Sequence, residues 1–202
     1  MTLESFRYQF RNLLKEMPKV CLLGVRGYSS SENQTGIYDD AIIRFIEGEI
    51  KIFVASVDPG NFYINHPINP LGCARLKAGL YFYALGEHHA KRALVQAEEV
   101  NVDRLDSSGN KVRNDSGYLG INIHSGGPEY LVGRFSAGCQ VIKTDEPWQC
   151  QWLDFFNPIV SALELFKQKR VPYLLVDKLE AIPASLDGHG ISLDDMEPSH
   201  SS

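Results

Sequence analysis

The sequence has no long apolar run, no block of basic charge and few cysteines, and each shortage excludes something. No stretch approaches the roughly 20 apolar residues that a membrane-spanning helix needs, so no membrane span is expected. Lys plus Arg number 20 against 25 Asp plus Glu, for a formal charge of −5, and no basic cluster forms a nucleic-acid footprint. The four cysteines, Cys21, Cys73, Cys139 and Cys150, contain no Cys-X-X-Cys pair. The segment from Met1 to Arg11 lacks a basic region followed by an apolar stretch, so no secretory signal is visible. Without one, an even cysteine count argues little for disulfides, and buried free thiols are the expectation for most of the four. The chain is therefore expected to be made in the cytoplasm, with work in a periplasm or cell wall requiring dedicated delivery.

What is present is the composition of a globular chain. Apolar residues make up 44% and charged residues 22% of 202 positions, which excludes a disordered, collagen-like or coiled-coil chain. That length supports a core without disulfide staples. One domain is expected over 1–184, with a loose tail over 185–202 where Gly, Asp, Ser, His and Pro take over.

Leu3, Phe6, Phe10, Leu13 and Leu14 recur at helical spacing across 3–16, predicting a short amphipathic helix ended by Pro18. Val20 to Val25 reads as a buried strand, and 41–45 with 50–57 as a hairpin about Glu47-Gly48-Glu49. Residues 27–36 and 58–72 read as loops; 79–85, 93–97, 100–105, 111–113, 118–124, 139–142 and 172–176 read as strands. A late helix is predicted over 146–169, with Asp145 as cap, Pro147 in the first turn and an apolar face from Trp148 and Trp152 to Phe166. Asn157-Pro158 is expected to kink or split it. Many short strands with one late helix make the class mainly β or α+β.

The informative segment is Gly120-Ile-Asn-Ile-His-Ser-Gly-Gly127, followed by Gly133-Arg-Phe-Ser-Ala-Gly-Cys-Gln-Val-Ile142. A strand delivers His124 at its end, a glycine pair turns the chain, and Ser136-Ala137-Gly138-Cys139 leads into the next strand. A free thiol of pKa about 8.5 is mostly protonated at neutral pH, and only the thiolate attacks a carbonyl. An adjacent imidazole takes that proton, or holds the thiolate as an ion pair. Gly138 permits an unusual backbone angle and lets N–H groups face a developing oxyanion, where one lost donor costs about 3–4 kcal/mol of barrier. Ser125 or a nearby carbonyl is the candidate to orient the imidazole. An arbitrary Cys and His are more often a core thiol and a hydrogen-bonded strand-end histidine. Small residues beside this cysteine serve access rather than packing.

Other polar groups carry weaker signals. His88-His89 with Asp58 or His66 would suit a metal, but no ligand spacing is present and an exposed loop is expected, so no metal or cofactor is assigned. Asp39-Asp40 fit acid–base partners or, more simply, carboxylates facing water. Gly126-Gly127 fit an anion nest or a tight turn. Trp148 and Trp152 are placed to border a cleft beside Cys139.

The His124-to-Cys139 segment resembles the catalytic motif of the L,D-transpeptidase (YkuD-type) family, which places a strand-end histidine, a short loop and then Ser/Thr-X-Gly-Cys. In that resemblance Cys139 matches the nucleophile, His124 the catalytic histidine, Ser125 the residue supporting it through its main chain, and Ser136 and Gly138 the residues just before the cysteine. Leu76-Lys-Ala-Gly-Leu-Tyr-Phe-Tyr83 looks like a weaker upstream element, so the likeness covers roughly 40–142 and is specific over 120–142. The family's chain order differs from that of papain-like peptidases, in which Cys precedes His. Ala137 stands where the family often has His or Arg, and Gln140-Val141 where it often has Arg. Arg134 is the candidate to supply that positive charge, with Gly126, Gly127 and Trp148 as further substrate-binding candidates.

The resemblance implies an L,D-transpeptidase-like β-sandwich or open barrel with an N-terminal helix and a late helix after the cysteine. It implies acyl transfer on peptidoglycan stem peptides: attack on the carbonyl after the L-centre of meso-diaminopimelate, with D-alanine leaving. Water, a second stem or a free D-amino acid accepts the acyl group. With the bare N-terminus, a secreted antibacterial effector or toxin is expected, partnered by a secretion apparatus or an immunity protein. The alternative is a catalytically idle muropeptide-binding module of the same fold. Alkylation of Cys139 faster than the other cysteines below pH 7 would favour the enzyme.

Overall fold

The computed structural model describes residues 1–145 and 150–181, so the tail expected from Ser185 lies outside them. The chain runs α1 (Leu3–Phe10), β1 (Val20–Val25), β2 (Asp40–Ile46), β3 (Glu49–Ser56), α2 (Asn61–Asn65), β4 (Cys73–Leu76), β5 (Gly79–His88) and β6 (Lys91–Gln96). It continues β7 (Val100–Leu105), β8 (Lys111–Gly117), β9 (Ile123–Ser125), β10 (Gln140–Ile142), α3 (Cys150–Leu165) and β11 (Val171–Val176). The class is mainly β. Eight strands form a closed barrel in the order β1-β11-β5-β6-β9-β10-β3-β2, and β4-β7-β8 make a second, three-stranded sheet. The sheet is therefore neither an open barrel nor a sandwich. The last strand, β11, returns to lie parallel to β1, while β1 also pairs with β2, and this removes both free edges. Among the described residues, no helix is long and apolar enough to cross a membrane.

Strand alternation explains the continuous apolar run of β1. Val20 and Leu22 pack with Ile42, Tyr83 and Tyr173, whereas Cys21, Leu23 and Val25 pack with Ala41, Ile43 and Phe45 in a separate cluster. Phe6 and Phe10 of α1 complete that second cluster, so α1 covers one face of the β1–β2 pair. Thr2 caps the helix, its hydroxyl accepting from Ser5 N–H at 3.0 Å. The helix stops at Phe10 rather than near residue 16, where the N–H groups of Arg11 and Leu13 turn to the tighter i→i−3 carbonyls of Tyr8 and Phe10.

Two further expectations change for local reasons. Residues 118–122 do not form a strand; the N–H groups of Leu119 and Ile121 donate instead to the Gln96 side-chain oxygen, at 3.1 and 3.2 Å. The late helix is not split at Asn157-Pro158, since α3 runs through Pro158. Proline removes the N–H that would meet the Asp154 carbonyl, and the Arg44 guanidinium from β2 donates to that carbonyl in its place. The first helical residues expected after Asp145 lie outside the described residues.

Gly24 on β1 makes room for a buried tyrosine. A Cβ there would meet Tyr173 Oη at 2.1 Å, and that hydroxyl donates to Gln140 Oε1 at 3.0 Å. Gln140 Nε2 in turn donates to the Gly138 carbonyl at 3.2 Å. Gly24→Ala is expected to destabilise by about 1–3 kcal/mol, read as a lower urea midpoint at unchanged m-value.

Candidate active site

Strands β9 and β10 are parallel neighbours, with Ile123 opposite Gln140 and His124 opposite Val141. That register sets Cys139, the residue before β10, beside Asn122. The Asn122 N–H points at Cys139 Sγ at 3.5 Å, and Sγ lies 3.4 Å from the Gly120 carbonyl. His124 and Cys139, far apart in the loop, are thus joined by strand pairing: a ring nitrogen of His124 and Cys139 Sγ lie within 4.8 Å.

The imidazole has a defined tautomer. His124 Nδ1 sits 2.9 Å from the Ser125 carbonyl, which can only accept, so Nδ1 carries the proton. Nε2 is left as the lone-pair nitrogen, and it is buried with no hydrogen-bond partner among the described residues. Ser125 therefore acts on the ring through its main chain.

The loop before the cysteine is held by Ser136, which is fully buried. Its hydroxyl donates to the Cys139 carbonyl at 2.6 Å and accepts from Gly138 N–H at 3.2 Å. Gly138 has φ +131°, and a Cβ there would press the Ala74 carbonyl at 2.7 Å, so glycine is required twice over. Because Ser136 occupies the Gly138 N–H, that group does not face an oxyanion as expected. The Cys139 N–H has no partner among the described residues and is the donor left for that role.

Burial controls the protonation of the pair. It pushes the Cys139 thiol up to about 11, against the Asn122 N–H, which favours the thiolate. It pulls His124 down to about 4, against the Ser125 carbonyl, which favours the cation, with His88, His89 and Lys91 adding to the drop. The resting pair is neutral thiol and neutral imidazole, not an ion pair. Rapid labelling of Cys139 below pH 7 is accordingly not the behaviour this environment favours.

Cys139, His124, Ser125 and Ala137 line a cavity of about 620 Å³. Arg134 lines it too, its guanidinium stacked 4.0 Å over the Phe62 ring, and Lys91 adds positive charge, while Arg104 is paired with Asp115 at 2.8 Å. Among the described residues no Asp or Glu lines the cavity, although the chain as a whole is acidic. Ile68 and Tyr118, 73% and 70% exposed, give the cavity an apolar rim.

Several expected substrate contacts are placed otherwise. Gly126 lines the cavity, but the Gly126 N–H goes to the Ile142 carbonyl at 2.7 Å and the Gly127 N–H to Tyr38 Oη at 3.0 Å. The glycine pair is therefore packing room, not an anion nest. Gln140 is buried against Tyr173 and Gly138, so it makes no substrate contact in place of the family's arginine. Trp148 lies outside the described residues. Asp39 and Asp40 do not face water; both are buried, and Asp40 accepts from Gly27 N–H at 2.8 Å and Val57 N–H at 2.7 Å.

Two further residues belong to the site: Asn122, which the sequence does not single out, and His88, which was expected in an exposed loop but is half-buried at a strand end. His88, at the end of β5, stacks on His124 with ring centroids 4.7 Å apart. It is presented by a two-residue turn, His89-Ala90, with both φ values positive (50° and 58°). Asn122 Nδ2 lies 3.0 Å from His88 Nδ1, and Asn122 Oδ1 accepts from Gln96 N–H at 3.0 Å, which fixes the amide and makes His88 Nδ1 the acceptor. Neither suggested metal partner of His88 is nearby in the network: Asp58 pairs with Arg26 and Arg75, and His66 stacks on Phe62. A signal existed in the alternation of Asn122 and His124, which share one face of an extended segment.

No family model, curated protein or solved structure matches the chain.

Proposed function

We propose that this chain is a cysteine acyl-transfer enzyme acting on peptidoglycan stem peptides, with a diverged L,D-transpeptidase-like catalytic domain. The observation that carries the reading is the Cys139–His124–Ser125 arrangement on a cavity wall, with a ring nitrogen of His124 within 4.8 Å of the thiol and Nε2 free of hydrogen-bond partners among the described residues. In the proposed reaction His124 Nε2 takes the thiol proton as Sγ attacks the carbonyl carbon. The Cys139 N–H donates to the oxyanion of the tetrahedral intermediate. The C–N bond breaks, His124 returns the proton to the leaving D-alanine amine, and a thioester remains. Water, a stem amine or a D-amino acid then takes the acyl group, with His124 again accepting the proton. Arg134 and Lys91, in a cavity that no carboxylate lines among the described residues, suit a donor peptide rich in carboxylates.

Such a substrate puts the site of action in a periplasm or cell wall. One observation favours the idle muropeptide-binding module as the second reading: burial keeps the thiol protonated. Mass spectrometry of digested sacculi separates the two. Wild type is expected to release D-alanine and leave tripeptide stems, 3–3 dimers or exchanged termini, and Cys139→Ala to leave the sacculi unchanged. Unaltered sacculi after treatment with either protein, with muropeptide retained by both, would establish the binding module.

A further inference from the structure

We propose that His88, His124 and Cys139 together form a site for one divalent cation of the Zn²⁺ class. A ring nitrogen of each histidine and the Cys139 sulfur lie within 4.8 Å of one another. The three come from separate segments: the end of β5, β9 and the residue before β10. Donors around a tetrahedral zinc stand roughly 3.3–3.6 Å apart, so closure by about 1 Å completes the set. Two imidazoles and one sulfur suit zinc rather than magnesium or calcium, which need oxygen ligands. The cavity, with no carboxylate in its lining among the described residues, leaves a fourth position for water.

The surroundings of His124 already have the form of a ligand. Its Nδ1–H is held by the Ser125 carbonyl at 2.9 Å, and its Nε2 is buried without a partner among the described residues. Metal-bound histidines characteristically donate their other N–H in this way. For His88, Nδ1 is occupied by Asn122, so Nε2 is the nitrogen available. Ligation through Nε2 moves its proton to Nδ1, and the Asn122 amide must turn over, giving up the bond from Gln96 N–H. Asn122→Asp would offer one oxygen to each donor and relieve that conflict.

Binding converts the thiol to a metal thiolate and releases one proton to solvent. It occupies the nucleophile and the base together, so the ion and acyl transfer exclude one another. That consequence rests on the acyl-transfer reading; the site itself does not.

Co²⁺ is the probe, added to the chelator-stripped full chain. Expected is one ion per chain with a thiolate-to-cobalt charge-transfer band in the near ultraviolet, abolished in Cys139→Ser. Loss of His88, as His88→Ala or the bulkier His88→Gln, is expected to weaken affinity at least about tenfold. His89→Ala should leave it unchanged, and Asn122→Asp should tighten it. Thermal melts of each variant verify folding. Absence of the band, its survival in Cys139→Ser, indifference to His88 in folded variants, or weaker binding by Asn122→Asp overturns the proposal. Cobalt binding beside inert sacculi would reject the enzyme and keep the site; processed sacculi without cobalt binding would do the reverse.

Discussion

His124→Ala is expected to lower kcat/KM for D-alanine release by a factor of about 10²–10⁴, with the melting temperature little changed. That factor corresponds to about 2.7–5.5 kcal/mol of barrier. The size follows from the neutral resting pair. Burial holds the thiol up to about 11 and the imidazole down to about 4, so almost no thiolate exists before substrate arrives. The base must therefore act during attack, and removing it removes the imidazole placed to take the thiol proton. The pH profile carries the same signature. A histidine lowered to about 4 stays unprotonated down to that pH, so the acid limb of kcat/KM is expected near 4 and not near the ordinary 6.5. The other charged or titratable groups acting on His124 are His88, His89 and Lys91, and all three act in the same direction. Iodoacetamide labelling of Cys139 in the free protein is expected to climb about tenfold per pH unit from 7 to 10, equally in wild type and His124→Ala. A labelling plateau near neutrality that His124→Ala removes would reveal an ion pair and contradict the concerted proton transfer.

Asp58→Ala should destabilise the protein by about 3–5 kcal/mol, measured by urea unfolding. Asp58 has a fully buried side chain that meets Arg26 Nε at 2.9 Å, Arg75 Nε at 2.8 Å and Asn33 Nδ2 at 2.6 Å. Burial alone would raise its pKa, but Arg26 and Arg75 overcome that and hold the carboxyl below its ordinary value. Truncation leaves the Arg26 guanidinium, itself 3% exposed, with only Asp177 at the surface and the Leu76 carbonyl. The sign with pH is set by the lowered pKa. The contribution is full above the ordinary carboxylate range and disappears as pH falls through the folded value. Arg75 belongs to β4, whose Cys73 and Ala74 line the cavity, so the same variant should also loosen that wall. Asp58→Asn, which keeps the shape, should fall between the two.

How much was legible follows from where each signal lives. The unbroken burial of β1 and the hairpin of β2 and β3 are local patterns, and a chain of this composition shows them directly. The candidacy of His124 and Cys139 was local too, resting on the glycines and serines beside them, whereas the parallel pairing of β9 with β10 that brings them together was not. The strand expected over 118–122 failed because a side chain, Gln96, supplied the acceptor that a neighbouring strand would have supplied. The continuity of α3 through Pro158 was hidden because the compensating donor, Arg44, comes from β2.

Residue order by itself determined that a thiol and an imidazole stand fifteen positions apart, with glycines beside each that break the strands there and let the two approach. Tertiary structure alone decided the closed ring of strands, the arrival of His88 and Asn122 beside that pair, and the exclusion of charge from it. Those three depend on which distant segments lie alongside and how much water they displace, and neither quantity is written in the spacing of nearby residues.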